Sequence, residues 1–171
     1  MPEPRLSTTE YAVLGVLAEG PSHGFAIAKH LDSSAELGRV FTVRRPLVYR
    51  ALDRLLEAGY AEAVSTERGD AGPNRIIHRI TRPGRQRLRR WLSVPVEHVR
   101  DLRLEFLLKL ALIQRSGKSP VNLIREQRTA LGSTLMALDD RSAPDDHVEL
   151  WRQHNAAAAA AYLDDLESRY A

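Results

Sequence analysis

The chain has 171 residues, of which 43% are hydrophobic, and its formal net charge is +3. This length holds one domain or two small ones, and no apolar run approaches the roughly 20 residues that span a membrane, so we expect neither a transmembrane segment nor a signal peptide. The sequence has no cysteine, which excludes disulfides and thiolate metal sites and fits a reducing cytoplasm.

The charge is unevenly distributed along the chain. Residues 1–90 carry 15 Lys/Arg against 10 Asp/Glu, a balance of +5, whereas residues 91–171 carry 10 against 12, a balance of −2. Every basic residue of the first half except Lys29 is an arginine. A basic half joined to a mildly acidic half is typical of a polyanion-binding module next to a second module.

The first elements are predicted to be helices. Ser7-Thr8-Thr9-Glu10 has the pattern of a capping box, in which the serine and glutamate side chains satisfy each other's backbone amides. It predicts a helix over residues 7–19, which Gly20-Pro21 ends. A second helix is expected from His23 to about Asp32, and residues 39–43 are expected to form a short strand.

A short amphipathic helix is predicted to begin at Pro46 and to end before Gly59. Its apolar residues fall at the spacing of one helical stripe: Val48, Ala51, Leu52 and Leu55. Its other face and its approach carry Arg44, Arg45, Tyr49, Arg50 and Arg54. Arginines on the N-terminal half are typical of a recognition helix, which enters the major groove of DNA. The alternative is a surface helix whose arginines are solvated or pair with Asp53 and Glu57.

Two strands, Tyr60–Thr66 and Arg75–Thr81, flank a segment rich in turn residues and predict a hairpin. Ile76 and Ile80 are expected to share the apolar face of the second strand. Three helices followed by a hairpin predict a winged helix. Polar and basic residues near the hairpin tip suit a wing that lies on DNA: Arg68, Asn74 and Arg75, with Asp70 pointing away.

The remainder of the chain is predicted to be helical. A helix from Pro83 to about Leu92 carries four arginines, and Arg82 directly precedes it; these five are interpreted as a solvated face rather than as phosphate contacts. A break at Ser93-Val94-Pro95 predicts two domains, residues 1–93 and 94–171. Three further helices are expected over residues 101–114, 120–138 and from about 145 to the end.

The last helix has a seam similar to that of a coiled coil: Val148, Trp151, Ala158, Tyr162, Leu166 and either Arg169 or Tyr170. Three long helices with this much apolar surface and no sheet are too thin to bury it alone. We therefore predict a homodimer formed through the second domain.

No catalytic constellation is visible in the sequence, so neither an enzyme, nor a metal site, nor a cofactor is expected. Gly117-Lys118-Ser119 lacks the second glycine of a phosphate-binding loop. Three aromatic residues, Trp91, Trp151 and Tyr162, are candidates to line a cavity for a flat aromatic ligand. Core or dimer packing is the alternative for them.

Residues 11–25, YAVLGVLAEGPSHGF, and 47–59, LVYRALDRLLEAG, resemble the first-helix and recognition-helix motifs of the PadR family of transcriptional regulators. Residues 79–84 and 103–110 resemble its strand-to-helix junction and its longer type of C-terminal domain. The resemblance implies a dimeric winged-helix regulator, usually a repressor, whose effectors in the family include phenolic acids and aromatic drugs. Pro46 and Leu47 stand where the family has small polar residues, which moves the expected DNA contacts to the arginines.

These observations predict a mainly α protein with an N-terminal winged helix-turn-helix and an all-α C-terminal dimerisation domain. We expect a cytoplasmic homodimer that binds a pseudo-palindromic operator in double-stranded DNA. Phosphate contacts are expected from Arg44, Arg54, Arg68 and Arg75, and base recognition from Arg45, Tyr49 and Arg50. The alternative is an interaction protein that uses the winged helix as a docking or dimerisation module without DNA.

Overall fold

A computed structural model describes residues 5–68, 74–139 and 146–170. The chain divides into two compact units, Met1–Trp91 and Leu92–Ala171. The first unit combines helices with a small antiparallel sheet, and the described part of the second unit is helical. The predicted fold class, a winged helix followed by an all-α region, is confirmed.

Helix α1, Thr8–Glu19, is enclosed on all sides. The amide of Ser7 donates to the Glu10 carboxylate, and the amide of Glu10 donates to the Ser7 hydroxyl oxygen at 3.4 Å, so the predicted capping box is confirmed. Every residue from Glu10 to Leu17 is buried. Because both faces of the helix are covered, the other elements of the first unit must pack around it.

Three more helices follow: α2, Gly24–His30; α3, Glu36–Val40; and α4, Arg45–Glu57. His23 caps α2, since its Nδ1 accepts a hydrogen bond from the amide of Ala26 at 3.2 Å. The predicted apolar stripe of α4 is confirmed, because Val48, Ala51, Leu52 and Leu55 are all buried. Gly59 has a φ of 70°, the left-handed conformation in which the chain leaves the helix.

The strand predicted over residues 39–43 is wrong. Arg39 and Val40 belong to α3, and the sheet is built from other parts of the first unit. A Cβ on Gly38 would lie 1.7 Å from the carbonyl oxygen of Asp32, and the hydroxyl of Thr42 donates to the carbonyl of Gly38 at 2.7 Å. These local contacts stabilise a single helical turn and outweigh the β-branched composition of the segment.

The sheet has the strand order β1-β3-β2, with β1, Ser22–His23, β2, Ala61–Glu67, and β3, Arg75–Ile80, all antiparallel. The predicted hairpin is confirmed to within one residue at each end. Ala61 lies opposite Ile80, and Glu67 lies opposite Arg75. Strand β1 has only two residues, too few for an alternating pattern, and the sequence did not predict it.

The prediction that Ile76 and Ile80 together form the apolar face of β3 is only partly correct. Ile80 is buried, but Ile76 is 52% exposed, and His78 between them is buried instead. Every residue of β2 except Ala61 is exposed. The hairpin therefore extends beyond the helices, and Ile76 lies in this uncovered distal part.

Thr81 joins β3 to helix α5, Arg82–Ser93. Its hydroxyl donates to the carbonyl of Gly59 at 2.7 Å and accepts from the amide of Gly84 at 3.2 Å. Its own amide donates to the carbonyl of Tyr60 at 3.0 Å. A Cβ on Gly84 would lie 2.1 Å from that same oxygen, so only glycine allows this close approach. The junction thereby fixes the hairpin to the end of α4.

The second unit begins with α6, Val99–Asp101, which continues through a π-helical turn, Leu102–Phe106, into α7, Leu107–Arg115. Helices α8, Val121–Asp139, and α9, His147–Tyr170, complete it. The single helix predicted over residues 101–114 therefore contains a π-helical turn, which the apolar pattern did not reveal. The core includes Leu102, Phe106, Leu110, Ile124, Leu131 and Leu163.

The residues of α9 that are buried in the core are not those of the predicted seam, although Tyr162 and Leu166 of the seam are partly buried and pack against that core. Ala156, Ala159 and Leu163 are buried, whereas Trp151 is 70% exposed and Val148 is exposed as well. The alanines have short side chains, so they let α9 lie close to its neighbours in the core. The first part of the predicted seam, Val148 and Trp151, thus remains uncovered within one chain.

Candidate nucleic-acid interface

Helix α4 presents opposite chemistry on its two faces. The apolar stripe faces the core of the first unit, and the other face and the N-cap expose Arg44, Arg45, Tyr49, Arg50 and Arg54. The structure therefore brings five of the eight predicted DNA contacts onto one solvent-facing surface. An exposed helix face of this kind, backed by a packed winged helix, has the shape and charge to enter a major groove.

Arg45 lies at the first turn of α4 and is held by an aromatic ring. Its guanidinium carbon is 4.7 Å from the centroid of the Phe25 ring, within the range of a cation–π interaction. The ring of His23 is stacked beyond, with its centroid 6.3 Å from that of Phe25.

Arg45 also influences a nearby acid. Hydrogen bonds from the backbone and hydroxyl of Ser34 lower the pKa of Asp32, and the nearby charge of Arg45 contributes in the same direction.

Tyr49 packs against the start of α2. A Cβ on Gly24 would lie 2.6 Å from Cε1 of the Tyr49 ring, so the ring rests on the glycine backbone. Tyr49 is nevertheless 42% exposed. Its ring thus joins two helices of the first unit while part of it remains accessible to a ligand.

Arg54 forms an ion pair with α1. Its Nε lies 3.1 Å from the carboxylate of Glu10, whose side chain is only 1% exposed. The same carboxylate caps α1 through Ser7. The sequence marked Glu10 only as a capping residue; its second role was not predicted, because the two residues are distant in sequence.

An open cleft of about 100 Å³ lies between the start of α1 and the exposed face of α4. Its lining includes Ser7, Thr9 and Glu10 on one side and Leu47, Arg50 and Arg54 on the other. Arg50 and Arg54 are one helical turn apart and so lie on the same face.

The hairpin carries the other three predicted contacts. Arg68 follows β2, and Asn74 and Arg75 lie at the start of β3, all exposed. Residues 69–73, which include Asp70, lie outside the described part of the chain, so the expected direction of that side chain stays a prediction. Arg79 is engaged elsewhere, since its Nε donates to the carboxylate of Glu62 on β2 at 2.7 Å.

His78 is a buried polar residue that the sequence did not single out. It is 7% exposed, and within the described residues its Nδ1 has no hydrogen-bond partner. Burial lowers the pKa of the imidazole, an effect that the carboxylate of Asp53 on α4 and the backbone of Ser22 oppose. The alternating pattern of β3 could have indicated it, because His78 lies on the same face as the buried Ile80.

The three aromatic residues predicted for ligand binding have different surroundings. Trp91 stacks on Tyr11, with ring centroids 4.3 Å apart and planes at 6°. Trp151 and Tyr162 both lie on α9, about 16 Å apart along the helix axis at 1.5 Å per residue, so they cannot line one small cavity within a single chain. Burial raises the pKa of the Tyr162 hydroxyl, and Tyr170 adds to this effect while Arg169 opposes it.

Within residues 5–68, 74–139 and 146–170, no helix is both long and apolar enough to cross a membrane. In the same ranges, no group of three His, Asp or Glu side chains is arranged to hold a metal ion.

The first unit is a winged helix in which the exposed face of α4 is basic. Residues 13–90 match the model of the Transcriptional regulator PadR-like family, so the chain carries a PadR-like domain over these residues and the resemblance predicted from the sequence is confirmed there. No curated protein matches the chain.

Similar solved structures have low sequence identity and moderate structural overlap. Bacillus subtilis PadR in complex with operator DNA is 20% identical, with 92% of this chain and 97% of that chain covered and a TM-score of 0.49. The protein smu.1604c from Streptococcus mutans UA159 is 19% identical, with coverage of 94% and 96% and a TM-score of 0.46. Bacillus subtilis PadR in complex with p-coumaric acid is 20% identical, with coverage of 95% of both chains and a TM-score of 0.42.

Proposed function

We propose that the protein is a homodimeric, sequence-specific DNA-binding repressor. The observation that carries the proposal is the exposed face of α4, which places four arginines and a tyrosine on a helix whose other face is buried in a PadR-like winged helix. Arginine can reach both guanine edges and phosphates, so one such face can supply both kinds of contact.

The roles proposed for the side chains follow from their positions. Arg45, Tyr49 and Arg50 lie on the first half of α4 and recognise bases. Arg44, Arg54, Arg68 and Arg75 contact phosphates, and Asn74 directly precedes Arg75 near the tip of the wing. Arg54 is the special case among them, because its Nε is already paired with Glu10.

We propose a division of labour between residues 1–93, which bind DNA, and residues 94–171, which form the dimer. The exposed apolar side chains of Val148 and Trp151 on α9 support this division, because a second copy would remove them from water. In such a dimer the two α4 helices would lie about 34 Å apart, one turn of DNA, on a pseudo-palindromic operator. A small aromatic effector that stacks on Trp151 or Tyr162 would then act where the two copies meet.

The test is the affinity of the full chain for the DNA upstream of its own gene, compared with a scrambled duplex of equal length over a range of salt concentrations. Tight binding to the first duplex, with a log–log salt slope that corresponds to several displaced counterions, is the expected result. Equal, weak binding to both duplexes would overturn the proposal and favour a docking module whose partner is a protein.

A further inference from the structure

The ion pair between Glu10 and Arg54 joins the start of α1 to the recognition helix. A carboxylate that is 1% exposed is costly unless its oxygens are satisfied. Here the amide and hydroxyl of Ser7 donate to it at 2.5 and 2.9 Å, and Nε of Arg54 lies 3.1 Å away. One buried acid therefore caps a helix and fixes the position of an exposed arginine.

The arginine fixed in this way lines the cleft between α1 and α4. Arg50, one turn earlier on the same face, lines it as well. The two guanidinium groups against one carboxylate leave a net positive charge, and Ser7 and Thr9 bring hydroxyl groups to the opposite side. The cleft, with a volume of about 100 Å³, is open to solvent, so a phosphate group can enter it from outside.

We propose that this cleft binds one backbone phosphate of the DNA in each half-site, and that Glu10 is a positioning residue that holds Arg54 for this contact. The inference rests on the proposed function and deepens it, since it assigns one phosphate to one cleft. Arg54 binds the phosphate, and the positive charge of Arg50, whose guanidinium recognises a base, adds to the attraction. Glu10 does not touch DNA and acts only through Arg54.

The experiment begins with a duplex that the full chain selects from a random-sequence pool. Methylphosphonate is then substituted at one backbone position at a time, which removes the charge of a single phosphate. We expect one position in each half-site at which the wild type loses about tenfold in affinity and at which Arg54→Ala loses clearly less, because only the charge of Arg50 remains beside that phosphate. Arg54→Ala is also expected to reduce the log–log salt slope by about 0.9 for each subunit.

The positioning role is tested with Glu10→Gln. We expect it to weaken binding several-fold at the same phosphate and to have no such effect in an Arg54→Ala background. Arg54→Lys keeps the charge but not the planar fork, so it should retain the wild-type salt slope with weaker affinity. Arg103→Ala, at an exposed position in the second unit, should leave the response at that phosphate unchanged.

The outcomes separate the two proposals. If the full chain selects no sequence, both the proposed function and the cleft assignment fall. If it selects one but Arg54→Ala keeps the wild-type response at every phosphate, only the cleft assignment falls. A higher affinity and a steeper salt slope in Glu10→Gln would show that Glu10 holds Arg54 away from DNA. Thermal stabilisation of the wild type, but not of Arg54→Ala, by inorganic phosphate that does not compete with the duplex would assign the cleft to a free anion.

Discussion

The ring of Tyr49 on α4 rests directly on the backbone of Gly24 at the start of α2, where a Cβ would lie 2.6 Å from Cε1 of the ring. The contact fixes the distance between the two helices. It also explains why a residue without a side chain stands at position 24, although its backbone does not have a positive φ.

Gly24→Ala should therefore destabilise the protein. The added methyl group overpacks the contact, and we expect a loss of about 1–3 kcal/mol in the free energy of unfolding, measured in urea. Gly20→Ala is the control, since a Cβ there meets nothing within 4 Å, and should change stability by less than about 0.5 kcal/mol. Removal of the ring in Gly24→Ala/Tyr49→Ala should recover part of the loss. Equal stability of Gly24→Ala and Gly20→Ala would contradict this account.

The sequence predicted the parts of this fold that depend on local patterns. The capping box at Ser7, the stripe of α4 and the glycine turn after it were all visible, because each needs only residues a few positions apart. The strand predicted over residues 39–43 was wrong. The composition of this segment suits a strand, but the close packing of Gly38 on Asp32, which favours a helical turn, cannot be seen in a single sequence.

For the candidate site as well, local patterns could be predicted and contacts between distant residues could not. Its arginines could be predicted, because they all lie on one face of a helix that the pattern defines. The partners that hold two of them could not be: Glu10 and Phe25 come from other helices, and only the packing of the first unit brings them to Arg54 and Arg45. On α9, alanines allow close packing on a face that a search for large apolar residues overlooks.

The contact between Phe25 and Arg45 should be measurable as a coupling free energy. In a double-mutant cycle of Phe25→Leu and Arg45→Ala, we expect about 0.5–1 kcal/mol from urea unfolding, the range for an exposed cation–π pair. Phe25→Tyr retains an aromatic ring and should preserve the stability of the wild type. Additive effects of the two substitutions would mean that the ring and the guanidinium are merely adjacent.

His78 should make the stability of the first unit depend on pH. Burial lowers its pKa in the folded chain below the usual value of 6.5, so the unfolded chain binds the proton more tightly. The stability that the neutral imidazole contributes is complete above pH 6.5 and is lost as the pH falls from there towards the lowered folded pKa, by at most about 1.4 kcal/mol per pH unit.

His78→Gln should flatten this dependence. Urea unfolding of wild type and variant at pH 7.5 and 5.5 would show a smaller loss in the variant, whereas His98→Gln, at an exposed position, should behave as the wild type does. The prediction fails if His78→Gln loses as much stability on acidification as the wild type.

Trp151 provides the test of the proposed dimer. It is 70% exposed on α9, on the same side as Val148 three residues earlier, and a large exposed apolar side chain of this kind is a common anchor of protein interfaces. Trp151→Glu would place a charge in the interface without disturbing the core formed by Ala156, Ala159 and Leu163. We expect it to shift the sedimentation coefficient in analytical ultracentrifugation from that of a dimer to that of a monomer, with the helical circular dichroism retained.

The control is Lys118→Glu, at an exposed turn position, which should leave the dimer intact. A Trp151→Glu protein that sediments as the wild type does would place the dimer interface elsewhere.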